Sequence, residues 1–184
     1  MKSFVVLFLA FLILAPAAQS QTKVVHFKKL QEYLPSMEMK GFERKKPTGQ
    51  TQTAMGMTSS EAKVRYVTKA PPDSVPSEEG YTEQSIEITL SDMSGIPFGQ
   101  MAAMQYQQEF ENETEDGYEK SVTVKGTYKG KESARTGDYK SCELEFMVGT
   151  RFMFKLQGNG ISDAKVLTKL AESVDLAKLE KLTP

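Results

Sequence analysis

The chain has 184 residues, with 23 basic and 24 acidic side chains, one histidine, one cysteine and no tryptophan. That near balance excludes the strongly basic footprint by which proteins hold nucleic acid or an anionic bilayer. One cysteine excludes an intramolecular disulfide, and one histidine beside it excludes zinc cages built from those two residue types.

The first twenty residues carry a three-part pattern. Lys2 supplies a positive start, FVVLFLAFLILA is an apolar run of leader length, and Ala18 and Ser20 are small residues before a cut. The pattern predicts a secretory signal peptide over 1–20, cleaved after Ser20, and a protein that is periplasmic or extracellular. The run is too short and wrongly flanked for a stable anchor. The remainder, 21–184, is long enough for a single domain with its own core. With Lys2 lost, 22 of the 23 basic residues face 24 acidic ones, a net charge of −2.

TKVVHFKKLQEYLP predicts a helix with Phe27, Leu30 and Leu34 on one face, flanked by His26 and Tyr33, and ended by Pro35. GFERKKPTGQTQTAMGM reads as a turn-rich edge strand interrupted by Pro47 and Gly49. SEAKVRYVTK alternates, with Ala62, Val64 and Tyr66 on one face. APPDSVPSEEG is a proline loop, and YTEQSIEITLSD resumes alternation with Ile86, Ile88 and Leu90 inward. IPFGQMAAMQYQQEF predicts a middle helix on which Phe98, Ala102, Tyr106 and Phe110 recur every four residues. An acidic loop, ENETEDG, follows, then YEKSVTVKGTY, a turn near Gly130, KESAR and a turn at TGD. The end, ISDAKVLTKLAESVDLAKLEKL, predicts one helix with Ser162 as N-cap and Val166, Leu167 and Leu170 inward.

Between these lies DYKSCELEFMVGTRFMFKLQGNG. Cys142, Leu144, Phe146 and Val148 form one face of a strand, and Phe152, Phe154 and Leu156 one face of the next. A three-residue loop at Gly149-Thr150-Arg151 pairs Val148 with Phe152 and Phe146 with Phe154, uniting both apolar sets. The same register sets Glu145 against Lys155 and Met147 against Met153 on the other face. Cys142 is thereby an inward hydrophobe, with Glu143 beside it to oppose a thiolate. GNGISD follows a strand and opens a helix, but it lacks a third glycine, places Asp163 where a phosphate would sit, and is read as a turn.

Other chemistry is sparse. His26, the lone histidine, sits at the edge of an apolar face and there is no G-x-S-x-G element. An EF-hand begun at Asn112 puts Thr114 at its third position and Thr123 at its twelfth, where a bidentate Glu is needed. Glu111, Glu113 and Asp116 are carboxylates for a hydrolase, with no spacing that fixes an acid/base pair. Asn112-Glu113-Thr114 is a glycosylation sequon in a eukaryotic host. The methionine pairs Met37 with Met39, Met55 with Met57 and Met101 with Met104 are candidate soft ligands for Cu(I), or else adaptable apolar surface.

Leu34-Pro35, Gly41-Phe42, Pro47-x-Gly49, Thr53-Ala54-Met55-Gly56 and Ser60-Glu61-Ala62 resemble the opening of a family of uncharacterised exported bacterial proteins. ETEDGYEKSVTVKG and VDLAKLEKL are similar to its later parts. Phe42 stands where that family has Trp, and 71–80 looks inserted. The resemblance implies export and a single domain, and no activity. The order of elements is also similar to the PsbP/Mog1-like sandwich, an analogy of fold alone.

The expectation is therefore one α+β domain: an antiparallel sheet of about six or seven strands, with an N-terminal, a middle and a C-terminal helix on one face. The expected function is an exported, non-enzymatic binding or accessory protein, without cofactor, meeting an unknown protein or small ligand and not nucleic acid. The alternatives are a carboxylate-dependent hydrolase and a weak Cu(I) or calcium binder.

Overall fold

A computed structural model of the chain describes residues 23–68, 84–95 and 104–184. A short helix α1 (Phe27–Leu30) with one 3-10 turn (Gln31–Tyr33) precedes nine strands: β1 (Phe42–Arg44), β2 (Thr48–Ala54), β3 (Met57–Thr68), β4 (Ser85–Asp92), β5 (Glu111–Thr114), β6 (Gly117–Val124), β7 (Tyr128–Arg135), β8 (Ser141–Val148) and β9 (Phe152–Asn159). Helices α2 (Lys165–Glu172) and α3 (Leu176–Glu180) close the chain. The strands form a single antiparallel sheet in the order β1-β3-β4-β9-β8-β7-β6-β5. β2 joins the same edge of β3 as β1, beside its first half. The six- or seven-strand sheet under three packed helices is thus corrected. Among the described residues the sheet has nine strands, and the helices are short pieces of one or two turns.

Alternation builds the core. The registers line up Leu144, Leu156, Ile88 and Val64 in one row, and Phe146, Phe154, Leu90 and Ala62 in the next. All eight are buried, and the Phe146 and Phe154 rings stack with centroids 5.2 Å apart. The loop Gly149-Thr150-Arg151 and the four pairings read from the sequence are those found. Leu30 of α1, Leu167 and Leu170 of α2, and Leu176 and Leu179 of α3 complete this core.

Several local expectations are overturned. The turn after β6 is at Lys125-Gly126, both at positive φ, whereas Gly130 is mid-strand opposite Phe146. A Cβ at Gly130 would collide with the Glu145 carbonyl and Phe146, so glycine there marks close strand contact rather than a turn. ENETEDG is not a loop but a hairpin, β5 turning at Glu115-Asp116 into β6. The C-terminal helix breaks at Ser173–Asp175, where Asp175 caps α3 by accepting from the Lys178 N–H. The N-cap of α2 is Ala164, not Ser162. The N-terminal helix shrinks to α1 and its 3-10 turn. His26 is exposed at its N-cap, where Nδ1 accepts from the Lys28 N–H at 3.3 Å.

The proline loop and most of the middle helix, residues 96–103 including Phe98, Met101 and Ala102, lie outside the described residues. Beyond them only Met104 and Gln105 are helical before the chain turns towards β5, so no helix runs to Phe110. Among the described residues no helix is long and apolar enough to cross a membrane.

Buried polar groups tie the ends down. Asp92 is buried at the end of β4 and accepts from the Val25 N–H at 2.6 Å, from Ser94, and from Arg151 through two of its nitrogens. Arg151 also donates to the carbonyls of Lys23 and Leu182. Glu132, on the core side of β7, accepts from the Tyr118 hydroxyl at 2.7 Å and from Thr168 of α2 at 3.5 Å. Burial, then that hydrogen bond, pushes the Tyr118 hydroxyl well above its ordinary pKa.

Candidate functional site

The sheet's second face carries the other half of each alternation. One row crosses it strand by strand: Glu119, Ser133, Glu143, Gln157, Glu87 and Arg65, from β6 to β3. A groove of about 560 Å³ lies over the β5 to β9 end of this face. Its floor is Glu119, Ser133, Glu143 and Gln157, and Arg135, Ser141 and Asn159 line one end with Asp116 of the acidic turn. Gln157 donates to Glu143 at 2.8 Å, fixing both side chains. Beside the floor, Lys155 bridges Glu143 at 3.2 Å and Glu145 at 2.6 Å, and Lys131 reaches Glu119 at 3.4 Å and Glu145 at 3.5 Å. The Tyr106 hydroxyl donates to Glu145 at 3.2 Å, so Tyr106, ahead of β5, covers this corner of the face.

These carboxylates sit close together, as a hydrolase would need, but the most buried of them, Glu145, is paired with Lys155 and Lys131. Burial would raise the Glu145 pKa, and the hydrogen bond and charge of Lys155, with Lys131, outweigh it and hold the group below its ordinary value. An ionised carboxylate cannot serve as a general acid at neutral pH. Tyr106 is pushed the other way, well above the ordinary phenol range, by burial and then by Glu145. Its hydroxyl is a fixed donor, not a base.

The residues singled out in sequence are scattered. Cys142 is buried on the core face, and burial pushes its thiol up to about 11. Gly158 belongs to β9, and Gly160 bonds the Lys140 carbonyl through its N–H, so GNG holds two strands together. Glu111 and Glu113 are exposed on the edge strand β5, and Asn112 faces the groove side of that strand. Met55 occupies the β2–β3 turn, 97% exposed, at φ 50, with Met57 just beyond it at the start of β3. Met104 is exposed and its proposed companion Met101 is outside the described residues. Met37 and Met39 line a separate groove of about 550 Å³ between the segment before β1 and helix α2. Among the described residues no three His, Cys, Asp or Glu side chains converge as metal ligands.

Sequence reasoning gave Ser133, Glu143, Gln157 and Asn159 no part in a site. Glu143 and Gln157 are outward residues of strands whose inward neighbours carried the argument, Asn159 was read as part of the GNG turn, and Ser133 lies in KESAR, which shows no apolar face. The available signal was the registered pairing itself, which aligns Glu143 with Gln157 once the β8–β9 hairpin is set. No protein-family model matches this chain, and neither the curated proteins nor the solved structures yield a match.

Proposed function

We propose that this is an exported, non-catalytic binding protein whose outer-face groove takes a small polar ligand offering both hydrogen-bond donors and acceptors. The observation that carries this reading is the polar floor Glu119-Ser133-Glu143-Gln157, contributed by four neighbouring strands. A sheet is a rigid platform, and a groove of a few hundred Å³ with fixed polar groups suits orientation of a ligand. Ser133, Ser141 and Asn159 supply neutral groups, and Arg135 and Asp116 supply one charge of each sign. The nearby carboxylates are neutralised by Lys155 and Lys131, which leaves the floor mixed rather than acidic. Export rests on the leader pattern of residues 1–20, and N-terminal sequencing of the secreted protein should begin at Gln21.

The test is a thermal-shift panel of peptides, amino acids and oligosaccharides. A specific ligand at a hundred times its dissociation constant adds about 2.7 kcal/mol to stability, a readable shift in the melt. Ser133→Trp fills the floor and should abolish the shift while leaving the unliganded melt near wild type. A ligand whose shift survives Ser133→Trp binds elsewhere and overturns the assignment.

A further inference from the structure

The second groove differs in chemistry from the first. Its floor is Met37, Met39, Phe42, Ile161 and Val166. Four of these, all but Met37, are only partly buried although they pack directly on the core. Methionine thioethers make an adaptable apolar surface that reshapes around a flexible chain. Three lysines stand at the rim: Lys40 before β1, Lys140 before β8 and Lys169 on α2. All three are exposed, and none makes an ion pair among the described residues. Two acids also line the groove. Asp163 accepts from the Lys165 N–H at the start of α2, and Glu38 is exposed at the outer rim. The lining therefore carries an excess of one positive charge around an apolar trough.

We infer that this groove holds the alkyl chain of a free long-chain fatty acid, with the carboxylate against Lys140 and Lys169. At about 550 Å³ the open trough falls in the size range of small-ligand sites. A lysine can lay its alkyl stem along apolar surface and keep its ammonium group at the water's edge, which is where the head group of an amphiphile bound in this groove would lie. The site shares no lining residue with the polar groove, so neither assignment depends on the other.

The experiment is displacement of a fluorescent fatty acid by oleate and by oleyl alcohol, using the purified full chain and the variant Lys140→Glu/Lys169→Glu. Oleate should bind better than the alcohol by about five- to tenfold, the worth of two exposed charge contacts. The double variant should keep the wild-type melting temperature, because both side chains are exposed, and should lose that preference. Equal affinity for acid and alcohol, absence of oleate binding, or an unchanged preference in the double variant each overturns the inference.

Discussion

Both carboxylate oxygens of Asp92 are held by Arg151, with Nε donating to Oδ1 at 3.0 Å and Nη2 to Oδ2 at 2.7 Å. Asp92 closes β4 and Arg151 ends the β8–β9 loop, so a residue that looked like a turn position in the sequence is the partner of a buried charge. Removing one member of a buried pair leaves the other without compensation, at a cost of about 3 to 5 kcal/mol. Asp92→Ala should lower stability by that amount in urea unfolding, and a loss of less than about 1 kcal/mol would show the pair to be incidental.

The same pair sets an acid limit. Burial would raise the Asp92 pKa, but Arg151, Ser94 and the Val25 N–H outweigh it and hold the folded value below the ordinary one; Glu145 is lowered as well. The unfolded chain therefore takes up protons first as pH falls. The contribution of both groups is complete above the unfolded carboxylate values near about 4 and drains away as pH drops through the folded values. Melting temperature should be nearly flat from about pH 6 to 8 and fall steeply below about pH 4. Asp92→Asn should flatten that slope.

Cys142 should be inert. Its thiol is buried and pushed up to about 11, chiefly by burial, so the nucleophilic thiolate is scarce at neutral pH. Alkylation in the folded protein at pH 7 should run at least about a hundredfold slower than in denaturant. Rapid labelling of the folded chain would contradict the placement of this side chain.

Gly158 lies opposite Cys142, and a Cβ there would come within 2.7 Å of the cysteine sulfur. Gly158→Ala should cost about 1 to 3 kcal/mol through overpacking. Cys142→Ala in the same chain should recover part of that loss, a coupling that a double-mutant cycle reads directly. Strict additivity would mean the contact is relieved some other way.

Met55 is strained where it stands. It and Gly56 both have positive φ in the two-residue β2–β3 turn, the geometry that Asn-Gly favours. Met55→Asn should raise stability by about 0.5 to 1 kcal/mol, measured in the same unfolding assay.

What the sequence disclosed follows from where apolar alternation was strong. In β8 and β9 every second residue is large and apolar, so only one loop length unites the two faces, and the register follows. β5 has no such signal: all four of its residues are exposed, and an edge hairpin of charged residues reads as a loop until its partner is known. Lys125 hides a turn because a non-glycine residue takes positive φ there, while Gly130 mimics one because it serves close packing. The break between α2 and α3 follows from Asp175 capping a new helix within a run that keeps its helical period. The polar groove was invisible for a different reason. Its members are scattered from Asp116 to Asn159 and meet only through strand order, which no local pattern encodes.

Arg151 grips the carbonyls of Lys23 and Leu182 at the same time as Asp92, and Asp92 in turn receives the Val25 amide. The beginning and the end of the folded body are thus fastened at one knot, across sequence separations of 128 and 31 residues. Such distant closures are made late, because the intervening chain must first lose its freedom. The two ends of the described body are therefore coupled, so that loss of the Arg151 side chain frees the segment at Lys23 and the segment at Leu182 together.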